Sequence, residues 1–148
     1  MVLLIQRTEG ALLCVVDDNG QRSDVGQIHG GIVVYIGFAV GDDEGQFDKW
    51  TDKLINIRIF EDGSGKMNRS VRDTAQGIMV IPNFTLAGNM KKGNRPSFDS
   101  AMAPSEAHDL FIKFVKMLRH KYPEVVSGIF GADMRIEQKN SGPVNIIL

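Results

Sequence analysis

Three histidines, one cysteine and a few glycine-rich turns are the places in this chain where chemistry would ordinarily begin. His29, His108 and His120 fall at no spacing that would gather two of them, or one with a Cys or carboxylate, around a metal ion. His29 precedes two glycines and reads as a turn residue, while His120 lies near a helix end, where a cation suits the dipole. Cys14 sits in Leu12-Leu13-Cys14-Val15-Val16, where a lone cysteine behaves as a small buried hydrophobe. Gly63-Ser64-Gly65-Lys66 is only part of a phosphate loop: Phe60 stands at the first glycine position, and Met67 replaces the hydroxyl that would hold magnesium. There is no Gly-x-Ser-x-Gly elbow. The residues predict no metal and no cofactor, and any catalysis must come from something other than a conventional side-chain nucleophile.

Two segments invite a functional reading. Asn89 to Phe98 carries Lys91, Lys92 and Arg95 with no acidic residue, so it reads as an exposed positive loop. Asn140-Ser141-Gly142-Pro143-Val144 combines a residue without a Cβ and a proline, the residue before which a cis bond occurs in about 5% of cases. Each is also an ordinary turn by composition.

These segments need a scaffold, and 148 residues with 43% hydrophobic side chains are enough for one self-sufficient core, read as a single domain over residues 1–148. A net charge of -1 excludes a protein that holds nucleic acid by bulk charge, so any such contact must be local. With one Cys there is no intrachain disulfide, which suits a reducing compartment. Neither a signal-peptide core nor a membrane-length apolar run is present, and a soluble cytoplasmic protein is expected.

Periodicity predicts the elements. Val2–Gln6 and Ala11–Val16 read as strands around a Thr8-Glu9-Gly10 turn, and Asp17-Asp18-Asn19-Gly20 as a second turn. The β-branched run Ile32 to Phe38 reads as a well-buried strand. Phe47, Trp50, Leu54 and Ile57 lie on one helical face, with Asp43 and Gln46 as a capping box. Ile57–Phe60 and Gly77–Ile81 read as strands. Pro104 opens the clearest helix, whose stripe is Leu110, Phe111, Phe114, Val115 and Leu118 and whose C-terminal half is basic. Val125–Phe130, Met134–Gln138 and Val144–Leu148 complete a strand-rich α/β or α+β chain with two main helices on a curved sheet.

An ordered series of short motifs resembles the D-aminoacyl-tRNA deacylase family. They are Ile5-Gln6-Arg7, Arg58-Ile59-Phe60, Gly65-Lys66-Met67-Asn68, Phe84-Thr85-Leu86, Lys92 to Phe98, Phe130 to Met134, and Gly142-Pro143-Val144. The resemblance implies that family's barrel-like core and a cytoplasmic homodimer. It also implies hydrolysis of the ester between a D-amino acid and the 3′-terminal ribose of tRNA.

In the family a Gly-cisPro pair, here Gly142 and Pro143, reaches into the partner's pocket and rejects L-amino acids, while glycine is accepted. Main-chain atoms and the tRNA 2′-hydroxyl carry catalysis. Asn83 and Phe84 then bind substrate, Thr85 shapes the pocket, Lys91, Lys92 and Arg95 meet tRNA phosphates, and neither membrane nor DNA is an expected partner. The chain departs from the family at Pro82-Asn83, where Ser-Gln is usual, at Gly88-Asn89-Met90, where Ala-Asp-Thr is usual, and at Asn145, where Thr is usual. Pro82 matches the start of the motif in a sister group acting on L-alanyl-tRNA. A relaxed deacylase for small L-aminoacyl-tRNA and a non-catalytic tRNA-binding protein are the alternatives.

Overall fold

The run Ile32-Val33-Val34-Tyr35-Ile36 has no polar side, which suits a strand covered on both faces. The computed structural model, which describes residues 1–91 and 93–148, puts it at the centre of the sheet. In chain order the elements are β1 (Val2–Val16), β2 (Arg22–Ile28), β3 (Gly31–Gly37) and α1 (Phe47–Asn56). A small hairpin of β4 (Phe60–Glu61) and β5 (Met67–Arg69) precedes α2 (Val71–Thr74) and β6 (Gly77–Pro82). Then come α3 (Pro104–Lys121), β7 (Val125–Ser127) and β8 (Asp133–Ile147).

The strand order is β2-β1-β3-β6-β7, with β8 against β1. β3 runs parallel to β6 and β6 parallel to β7, whereas β1 is antiparallel to β2, β3 and β8. The first half of β1 lies between β3 and β8, the second between β2 and β8. The sheet therefore curls until β2 meets β7. At that seam a Cβ on Gly26 would stand 2.8 Å from Cγ1 of Val126, so only glycine lets the edges approach. Ala11, Leu13, Ile28, Val33, Met79 and Ile81 fill the inside of this nearly closed, barrel-like sheet.

The helices cover the other face, where Leu3, Ile5, Val34 and Val80 pack with Phe47, Phe111 and Phe114. Phe47 and Phe114 meet edge-on at 5.2 Å between centroids, worth about 0.5–1.5 kcal/mol beyond the area they bury. Pro104 opens α3 as expected, and four of the five stripe residues are buried, with Leu110 half-buried. Lys121 at its end reaches Asp48 (2.7 Å) and Asp52 (2.9 Å) on α1.

Several local expectations change. Thr8-Glu9-Gly10 is not a turn: β1 runs straight through it, and the pairing with β8 slips there instead. The Thr8 hydroxyl substitutes for lost ladder bonds, accepting from Gly10 N (3.0 Å) and lying 2.8 Å from Lys139 O. Likewise β8 is one strand where two were expected. Asp43 does cap, accepting from Gly45 N at 2.8 Å, but it opens a 3₁₀ turn over Glu44–Gln46, and Gln46 accepts from Trp50 rather than closing the box. Ile57–Phe60 forms strand only from Phe60, and Val125–Phe130 only to Ser127. The full capping box belongs to α2, where Ser70 and Asp73 bond reciprocally, a short helix that periodicity is too brief to reveal.

Candidate functional site

Parallel strands leave a crevice beyond their carboxyl ends, and β3 and β6 end side by side. Asn83 N donates to Ile36 O at 2.8 Å, which holds the two exits together. Between them and the start of α3 lies a hollow of about 470 Å³. Its walls are Ile36 to Phe38, Pro82 to Phe84, Phe98, the Ala101-Met102-Ala103-Pro104 lead-in to α3, and Phe130 with Gly131. Among the described residues, none that lines it carries a titratable side chain. Phe84, 58% exposed, stands edge-on to Phe98 at 5.1 Å, so an aromatic wall faces solvent across the opening.

Asn83 turns the chain from β6 into a 3₁₀ turn over Phe84–Ala87. Its carboxamide oxygen accepts from Thr85 N at 3.0 Å and also from the Thr85 hydroxyl. The hydroxyl proton thus goes to a neutral acceptor, which cannot activate the oxygen as a nucleophile. Thr85 is exposed and beside the hollow rather than part of its wall. The structure brings Asn83, Phe84 and Thr85 together.

Gly142 and Pro143 are elsewhere. They are joined by a cis peptide bond, both are exposed, and neither lines the hollow of its own chain. They belong to an excursion of β8: the register passes from Gln6↔Asn145 to Thr8↔Asn140, so residues 141–144 all stand opposite Arg7. Arg7 itself is only 9% exposed. Its Nη1 donates to Ile59 O at 2.7 Å and its Nε to Ser141 O at 3.3 Å, with the Glu61 carboxylate 4.0 Å away.

The basic loop folds back on itself through Asn89 and Ser97, whose backbones exchange bonds of 2.8 and 2.9 Å. Lys91 and Arg95 are exposed, and the loop leads directly to Phe98 in the wall. Lys92 lies outside the described residues.

His29 and His120 are exposed, and His108 rests edge-on against Phe130 at 5.4 Å. Among the described residues no group of three His, Cys, Asp or Glu is placed to hold a metal ion. The Cys14 thiol lies 3.2 Å from the Asp24 carboxylate, and that hydrogen bond, with burial, pushes its pKa up; a thiol so held is a poor nucleophile. The residues unassigned from sequence are Phe98, Phe130, Gly131 and the Ala101–Pro104 lead-in. Phe98, Phe130 and Gly131 fall inside the family motifs; the small residues before α3 carry no local signal.

A nearly closed sheet carries two helices on one face, and at the ends of its parallel strands a hollow is walled by main chain and aromatic rings. A structure described as a probable eukaryotic D-amino acid tRNA deacylase shares this fold, with a TM-score of 0.78 at 17% identity over 99% of this chain and 97% of that one. A c-Myc DNA Unwinding Element Binding Protein aligns at TM-score 0.89 and 34% identity, over 100% of this chain and 97% of its own. Proteins named D-aminoacyl-tRNA deacylase from Pelobacter propionicus and Dichelobacter nodosus are 48% and 44% identical over 148 residues, 100% of this chain and 99% of each relative.

The model of the D-Tyr-tRNA(Tyr) deacylase family matches residues 4–148, and the chain belongs to that family. Its enzymatic class is accordingly an ester hydrolase of the D-aminoacyl-tRNA deacylase kind.

Proposed function

We propose that the chain hydrolyses the ester joining a D-amino acid to the 3′-terminal ribose of tRNA, and that it does so as a homodimer in the cytoplasm. Water adds to the ester carbonyl carbon, the bond to the ribose oxygen breaks, and that oxygen takes up a proton; free D-amino acid and tRNA leave. An aminoacyl ester needs orientation and oxyanion donors more than a strong nucleophile. The main support is the hollow beside residues 83–85, apolar and, among the described residues, lined by no titratable group. At the start of its 3₁₀ turn, the Phe84 N–H has no partner that the turn itself can supply, whereas the Thr85 N–H is held by Asn83. Phe84 N–H is therefore the donor available to a developing oxyanion, and Thr85 shapes the turn.

Chirality is assigned to Gly142 and Pro143 acting in trans. They are exposed and apart from the hollow of their own chain, which suits delivery into that of a second copy; a two-fold dimer supplies both gates at once. Backbone atoms there would leave no space for an L side chain and would pass glycine, so glycyl-tRNA is an expected substrate. Lys91 and Arg95 contact tRNA phosphates beside the opening. No DNA partner is assigned, because a chain of net charge -1 has no bulk attraction for duplex phosphate.

Deacylation of D-tyrosyl-, L-tyrosyl- and glycyl-tRNA by the purified protein tests this. D-selective turnover with glycine accepted is expected. Comparable L turnover would replace it with a relaxed deacylase, and binding without turnover with a tRNA-binding protein. Sedimentation should give twice the 16.3 kDa chain mass; a monomer that still separates D from L would remove the gate in trans.

A further inference from the structure

A second concavity of about 390 Å³ lies between α3 and the segment that follows β7, and Phe130 lines both it and the hollow. One wall is a face of α3, where His108, Ile112, Lys116 and Arg119 succeed one another at helical spacing. Ser127, Ile129 and Phe130 form the other. Two aliphatic side chains here stay in water: Ile112 is 51% and Ile129 48% exposed.

The groove has a charge as well as an apolar floor. Lys116 and Arg119 line it, no carboxylate does, and among the described residues neither cation is ion-paired. Lys113, one position off this face, is paired with Glu44 at 2.9 Å. The Arg119 guanidinium is fixed across the groove, with Nε 3.3 Å from Val125 O and Nη2 3.0 Å from Ser127 Oγ. Phe130 is fixed too, between His108 at 5.4 Å and Phe111 at 6.3 Å.

We propose that this groove seats the nucleotide preceding the terminal adenosine of tRNA, base on Ile112 and Ile129 and phosphate on Lys116 and Arg119. The assignment rests on the deacylase reading, which places the aminoacylated nucleoside in the first hollow. Both concavities are walled by Phe130, so a strand leaving the first would reach the second across that ring. Single-stranded RNA is held in this way, by unstacked bases on apolar, aromatic or guanidinium planes and by cations along the backbone. A groove that is both apolar and cationic fits a nucleotide better than a hydrophobic partner surface or a free anion.

The test compares two esters, D-tyrosyl-tRNA and 3′-O-D-tyrosyladenosine, which lacks the preceding nucleotide. The variant Ile112→Ser with Lys116→Ser alters exposed side chains only. It should raise the ratio of KM for the tRNA over KM for the adenosine ester about tenfold, with kcat for the tRNA held. Lys113→Ser should leave that ratio where it was. Anisotropy with a labelled Cyt-Cyt-Ade trinucleotide RNA should show the same weakening.

D-selective turnover by the parent with an unchanged ratio in the double variant would overturn the groove and spare the deacylase. Absent turnover, with trinucleotide binding that still depends on Ile112 and Lys116, would do the reverse. Loss of dimer mass in the double variant would assign this face to a second copy and overturn the proposal.

Discussion

The side chain of Arg7 and the main chain of Ser141 are tied together: Nε donates to the Ser141 carbonyl at 3.3 Å, across the point where four residues of β8 oppose one of β1. The same guanidinium donates to Ile59 O at 2.7 Å in a buried bond. A planar, permanently charged fork can hold two carbonyls of different segments at once, which a lysine cannot reproduce. The base of the Gly142-Pro143 excursion is thereby pinned to the hairpin region from Ile59 to Glu61.

Arg7→Ala should therefore loosen the excursion and leave the Ile59 carbonyl without its donor. Hydrogen bonds to a charged group are worth about 1.5–3 kcal/mol, and a loss of that size is expected in urea denaturation. D-over-L selectivity should fall in the same variant, and Arg7→Lys should rescue stability more than selectivity. An unaltered D/L ratio would detach Arg7 from the gate.

Gly142→Ala meets two obstacles. The residue has φ of +119°, a region costly for an L side chain, and a Cβ would come within 2.8 Å of Val144 Cγ2 and 2.9 Å of Val144 N. The variant should lose about 1–2 kcal/mol of stability and deacylate every substrate more slowly, glycyl-tRNA included. Kinetics on the three aminoacyl-tRNAs check this; a defect confined to L substrates would contradict it.

Thr85 donates its hydroxyl proton to Asn83, and among the described residues no base lines the hollow. Thr85→Ala should keep kcat/KM for D-tyrosyl-tRNA within about tenfold, against the loss of about 10⁴ or more that removal of a true nucleophile brings. Asn83→Ala, which removes the cap of the turn, should cost about 0.5–2 kcal/mol and slow turnover more than Thr85→Ala does.

Lys91 and Arg95 are exposed on the loop that leads to Phe98. Replacing both with Ala should raise KM for D-, L- and glycyl-tRNA alike. It should also flatten the salt dependence of binding, by about 0.7 in log–log slope for each single-strand phosphate that is no longer neutralised. A change selective for D over L would move the loop into the chiral site.

Asp62 organises the turn of the β4–β5 hairpin. Its carboxylate accepts from the Ser64 hydroxyl (2.7 Å), Ser64 N (2.8 Å) and Lys66 N (3.2 Å), which lower its pKa from 3.8 to about 2. A folded pKa below the unfolded one means stability that is full above the unfolded value and is lost as pH falls through the folded value. The Tm difference between the parent and Asp62→Ala should be largest above pH 4 and shrink between about pH 4 and pH 2. A difference constant across that window would show that the charge contributes nothing.

Local periodicity alone was enough for α1, α3, β3 and β6, because a helix stripe such as Phe111, Phe114, Val115 and Leu118 or an unbroken run such as Ile32 to Ile36 encodes burial within a few residues. The same local reading found no metal-ligand spacing and no nucleophile motif, and the ordered motifs disclosed the family.

Continuity of β1 and β8 was not legible. Whether Thr8-Glu9-Gly10 turns or bulges depends on which distant carbonyl takes its hydrogen bonds, and that carbonyl belongs to Lys139. The hollow was equally hidden, since it joins the ends of β3 and β6 to Phe98, the start of α3 and Phe130, segments that only chain crossovers bring together. Nor could composition tell a free Gly-Pro turn from one whose base is tied to Arg7. Hydrogen bonding and steric fit between remote segments decide such matters, and those contacts exist only once the sheet has closed.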